Sequence, residues 1–83
     1  MNDKTYIEKL KTFWRDEIIA SEVYQALANK AKEGQRELFI RLAKMEQGHA
    51  ELWQRIAEDH FGATFERSLG RRVKIFFIKI FFL

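Results

Sequence analysis

Three side chains in this sequence have the types and spacing to hold a metal. They are Glu17, Glu46 and His49. Carboxylates combined with an imidazole suit iron or manganese, and zinc as well. Glu46 and His49 are three residues apart, so on a helix they share a face and point into the same volume. Each of the three interrupts an apolar stripe. Glu17 falls between Phe13 and Ala20, and the Glu46–His49 pair falls between Leu42 and Trp53. A charge buried without a partner costs several kcal/mol, and a bound cation removes that cost. A lone Glu on an apolar stripe is usually an edge residue, and a lone Glu-x-x-His arises by chance on many helices. What carries the metal reading is their conjunction at matching depth. Cysteine is absent, which excludes disulfides, thiolate metal sites and Cys nucleophiles.

The elements that must position the trio are two helices. Asn2 or Asp3 can cap a first helix starting near Lys4. Its apolar positions Tyr6, Leu10, Phe13, Ala20, Tyr24, Leu27 and Ala31 recur in steps of three and four and draw one stripe. Gly34 is the only helix stop mid-chain and reads as a tight reversal, with Gly34 as a C-cap. A second helix runs from about Gln35 to Glu58, with a stripe of Leu38, Phe39, Leu42, Met45, Leu52, Trp53 and Ile56. Arg36, Lys44, Gln47, Glu51 and Arg55 occupy its other face. Helices of this length joined by so short a loop lie antiparallel. At about 1.5 Å per residue each spans roughly 35–45 Å. Pairing about Gly34 puts Glu17 at nearly the same distance from the turn as Glu46 and His49, close enough for the three to meet. Trp14 and Trp53 read as packing or interface residues, His60 as solvated, and Glu22 and Glu51 as surface charge. Glu33 and Glu37 flank the turn, where an acid near a helix start is favoured.

A chain of 83 residues is one domain at most. A lone hairpin of this size leaves much apolar surface open, so a partner surface is expected. One trio is too few for two metals, whereas two trios related by a two-fold axis supply four carboxylates and two histidines. That is the ligand set of four-helix bundles carrying two irons. The expected architecture is therefore all-α: an antiparallel hairpin over residues 1–58 that completes a four-helix bundle by homodimerisation. Residues 59–83 form a connector and a basic, apolar C-terminal helix or tail. The net charge of +3 comes from that tail, since Arg71, Arg72, Lys74 and Lys79 face no acid there and the rest of the chain is nearly balanced. A nucleic-acid surface on the main body is not expected. Nine of the eleven residues from Val73 to Leu83 are large and apolar, but about 20 are needed to cross a bilayer. The tail reads as a bundle or oligomer contact, or as an anchor at a membrane surface with its cations among headgroups. The polar start lacks the apolar core of a secretion signal, so a cytoplasmic location is expected, with membrane association at the cytoplasmic face as the variant.

The runs Glu17-Ile-Ile-Ala-Ser-Glu-Val-Tyr24 and Phe39-Ile-Arg-Leu-Ala-Lys-Met-Glu46-Gln-Gly-His49-Ala50 resemble the first half of a rubrerythrin-type ferritin-like domain, over roughly residues 5–57. The resemblance implies that Glu17 is a terminal iron ligand, that Glu46 bridges two irons and that His49 caps one. It places Tyr24 beside the site as a supporting group. It also implies two irons per dimer, with manganese or zinc as substitutes, and oxidation of Fe(II) by dioxygen or peroxide in the manner of a ferroxidase or peroxidase. The second helix pair of such a domain, with its own Glu and Glu-x-x-His, lies outside this sequence. Encapsulated ferritins, which build the site across a homodimer of two-helix subunits, offer one precedent. The other is the N-terminal domain of membrane iron transporters of the vacuolar type, which His60-Phe-Gly-Ala-Thr-Phe65 and the apolar tail resemble, and against which the end at Leu83 reads as a truncation. The alternative function is a non-enzymatic dimerisation or oligomerisation module, with the trio as a buried polar network.

Overall fold

The computed structural model describes residues 2–66. It is a helical hairpin of α1 (Asp3–Lys30) and α2 (Glu33–Phe61), antiparallel, and its longest extent is 46 Å. No strand occurs among the described residues. The C-terminal helix or tail, and the contact assigned to residues 71–83, lie outside them. No described helix is long and apolar enough to cross a membrane.

Each helix end has an identifiable cause. Asn2 caps α1: its Oδ1 accepts from the Thr5 backbone N–H at 3.0 Å, satisfying one of the orphan donors of the first turn. The reversal differs from the expectation. Ala31 and Lys32 make it, both with extended backbone, and Gly34 lies inside the first turn of α2 instead of capping α1. Gly34 has no positive φ, so nothing at that position requires glycine. The side chain that closes α1 is Arg36. Its Nε donates to the Ala28 carbonyl at 3.1 Å and its Nη2 to the Ala31 carbonyl at 3.4 Å. A guanidinium on a helix C-terminus also suits the negative end of the helix dipole. Glu33 sits in the first turn of α2, where an acid is favoured. At its far end α2 runs to Phe61, beyond the expected Glu58, and stops at Gly62, the only described residue with positive φ (61°).

The contact seam also departs from the expected stripes. Buried along α1 are Trp14, Ile18, Ser21 and Ala28, and along α2 Ala43, Ala50 and Ala57. Trp14, Ser21 and Ala28 are seven apart, as are the three alanines, the spacing that keeps a seam facing its partner on nearly antiparallel helices. Small residues let the two backbones approach, while most of the large apolar side chains lean out to one side. Tyr6, Phe13, Leu38, Met45 and Leu52 are each about half exposed. Trp14, Ile18, Ala50, Ala57 and Phe65 form the core cluster at the open end of the hairpin. The bulk of the expected stripe thus flanks a face that one hairpin does not cover.

Candidate metal centre

Glu17 reaches the site from the middle of α1, one turn beyond Phe13. Glu46 and His49 reach it from successive turns of α2. The antiparallel register set by the short reversal brings them level. His49 Nδ1 lies 3.4 Å from Glu17 Oε2 and 3.5 Å from Glu46 Oε1. One donor atom from each of the three falls within 4.8 Å of the others, the separation of ligands around a single ion. The carboxylates are largely covered, with side-chain exposures of 22% for Glu17 and 16% for Glu46, whereas His49 is half open at 49%. The cluster therefore sits on the uncovered face of the hairpin, with its imidazole toward the outside.

The electrostatics of the trio call for a cation. Glu17 beside Glu46 holds the Glu46 carboxyl above its ordinary value, chiefly through the side-chain hydrogen bond between them, which favours the protonated form. Burial and the Glu17 charge push the same way, and His49 pushes against them. Glu17 Oε2 is buried and, apart from His49 Nδ1 at 3.4 Å, has nothing to pair with. Buried polar atoms are rarely left unpaired, and a positive ion at this point would satisfy that oxygen and relieve the repulsion between the carboxylates. The donor set of two carboxylates and one imidazole thus fits a transition metal such as iron. Three donors from one chain leave positions on such an ion for other ligands.

Tyr24 lies two turns from Glu17 on α1, half-buried, its ring stacked on Phe39 at 6.3 Å between centroids. It packs between the helices on the turn side of the trio. Trp53, assigned from sequence to packing or interface, has a second feature. It packs against Phe13 at 5.2 Å, one turn beyond His49, and its indole Nε1–H is buried with no acceptor. Spacing placed Trp53 on the stripe, but no sequence signal reports an unpaired indole. Glu51 and His60 are exposed, in agreement with their reading as solvated side chains.

The rubrerythrin family model matches residues 8–82, nearly the whole sequence. The chain belongs to the rubrerythrin family. No curated protein and no solved structure matches it. Rubrerythrins typically bind iron, and the Glu17–Glu46–His49 group of this rubrerythrin-family hairpin is the group of described residues able to hold a metal ion.

Proposed function

We propose that two copies of this chain pair across the Glu17–Glu46–His49 face to hold two irons, and that the paired site oxidises Fe(II) with dioxygen or peroxide. The observation that carries this reading is the convergence of the three donor atoms within 4.8 Å on a face whose large apolar side chains stay open. A second copy brings the missing ligands and covers Phe13, Met45 and Leu52 in one step. Four carboxylates and two imidazoles are then available for two ions.

Within that arrangement, Glu46, the most covered of the three at 16% side-chain exposure, would be the carboxylate shared between the ions. Glu17 and His49 each fix one ion. Iron, when bound, supplies the one-electron chemistry. The protein's part is to hold the donors in register, to keep the carboxylates deprotonated by pairing them with cations, and to exclude bulk water with Phe13 and Trp53. The use is iron storage, detoxification or delivery. Manganese and zinc fit the same donors and are the expected competitors.

The test is anaerobic Fe(II) titration of the full chain, with mass measured in parallel. The expected result is about one iron per chain, with a dimer formed at the same ratio. Admission of dioxygen should then oxidise the bound iron faster than free Fe(II). A chain that pairs through this face, binds no iron near that ratio and is unchanged by Glu46→Ala would instead be a dimerisation module with a buried polar network. A strictly monomeric chain in the presence of metal would end the shared-site reading.

A further inference from the structure

The hairpin has a second uncovered side, and the chain itself runs onto it. After Gly62 turns the backbone, the Ala63 N–H returns to the Ala57 carbonyl at 3.1 Å. Gln54, on α2, then grips the exit segment. Its Oε1 accepts from the Phe65 N–H at 3.0 Å and its Nε2 donates to the Ala63 carbonyl at 3.4 Å. The Phe65 ring is buried against Trp14, 5.5 Å between centroids. Beside it lies an open groove of about 390 Å³ with an apolar floor of Trp14, Ile18 and Ala50. Its α2 rim carries Glu51 and Glu58 against a single cation, Arg55. On α2 these rim residues and the Glu46–His49 pair lie on opposite sides of the alanine seam.

We propose that residues 67–83 dock along this groove, on the side of the hairpin opposite Glu17, Glu46 and His49. Three observations choose this occupant. Phe65, next to the last described residue, lines the groove, and Gln54 on its rim holds the Ala63 and Phe65 backbone beside it. Residues 67–83 carry five cations (Arg67, Arg71, Arg72, Lys74 and Lys79) and no acid, which matches the net negative rim. They also carry nine large apolar side chains after Arg72 that need cover, and the floor of the groove is apolar. A tethered segment docks at an effective concentration of roughly millimolar, which favours it over a separate partner.

The composition of the segment also excludes the other uncovered face. Residues 67–83 contain no Asp, Glu or His, so over the trio they would bury Glu17 and Glu46 with nothing to complete their coordination. This exclusion rests on the metal reading proposed above, whereas the exit path and the charge match do not. The two faces are thereby divided: the chain's own end covers one and a second copy covers the other.

Two measurements on the full, metal-free chain at low concentration test this. The chain has no cysteine, so single spin labels can be placed cleanly. A label at Arg55→Cys, on the groove, should strongly broaden the signals of residues 73–83. A label at Met45→Cys, on the metal face, should not. The labelled chain is diluted into unlabelled, isotope-enriched chain as a control. Broadening found only between chains, or broadening from Met45→Cys instead, overturns the proposal. So does tail broadening that is absent in solution and an ordering of the tail that appears only on anionic lipid vesicles, which would make the segment a membrane contact. Trypsin provides the second reading. Docking should slow cleavage after Arg71, Arg72 and Lys74, and Glu51→Gln with Glu58→Gln should speed it by about tenfold by raising the undocked population. Equal cleavage rates in the two proteins count against docking. Repeating the label experiment in His49→Ala separates the two proposals, since docking persists there whether or not the metal reading stands.

Discussion

Glu46 is the carboxyl whose titration the trio perturbs. With its carboxyl raised chiefly by Glu17, the folded metal-free chain keeps its Glu46 proton to higher pH than the unfolded chain does. The sign follows from linkage: the contribution of Glu46 to stability is fully present below the ordinary carboxylate pKa and is lost as pH rises through the raised folded value. Metal-free chain should therefore lose stability on going from acid toward neutral pH, and Glu46→Gln should flatten that slope in thermal melts taken across the range. Bound metal should reverse the dependence, because ligand protons compete with the ion. His49→Ala should abolish stoichiometric Fe(II) binding and leave the far-UV circular dichroism of the hairpin unchanged, since the imidazole is half exposed and carries no packing load. The trio was legible in the sequence because a spacing of three places two side chains on one helix face, whatever the rest of the fold does. The unpaired Trp53 indole was not, because pairing depends on the angle of a ring and not on its place in the chain.

At the scale of the elements, two glycines separate what was legible from what was not. Gly34 looks like a helix stop, yet Ala31 and Lys32 turn the chain and Arg36 supplies the missing partners for the α1 carbonyls. Gly34→Ala should therefore stabilise the hairpin by roughly 0.5–1 kcal/mol in urea denaturation, through better helix propensity and a less free unfolded chain. A Cβ there meets nothing within 4 Å. Gly62→Ala should do the opposite and cost about 1–2 kcal/mol, because φ is 61° and the left-handed conformation penalises a side chain even in open space. Existence, order and direction of both helices followed from periodicity and from the shortness of the loop. The seam did not, because large apolar residues dominate a stripe read from sequence while Ala43, Ala50 and Ala57 are what the helices press together. Two backbones can approach over alanine, and bulk is then displaced to the side. The large residues identified the face that needs a partner, one step removed from the face that makes the hairpin.

For the whole molecule the open metal face decides assembly. Leu52 is 48% exposed in one hairpin, so Leu52→Lys should leave its helicity intact. Placed in a paired interface, the same lysine should weaken self-association by about thirtyfold or more, since an unpaired buried charge costs at least about 2 kcal/mol. Sedimentation at several protein concentrations measures the difference, and unchanged association would move the interface elsewhere. The family match spans residues 8–82, whereas the resemblance legible in the sequence covered residues 5–57, because the tail carries no ligand by which to recognise it.

The alanine seam has a mechanical consequence. A rail of methyl groups offers few teeth of its own, so along its length a small slide of one helix past the other is resisted chiefly by the flanking ring pairs Phe13–Trp53 and Tyr24–Phe39. The position along the rail is pinned at its ends, by Arg36 near the reversal and by Gln54 with Phe65 at the far end. Coordination tolerates only a few tenths of an ångström of misfit. The affinity of this hairpin for a metal is therefore set in part by two fasteners that never touch it. Loosening either should leave the ligands in place and blur the distances between them.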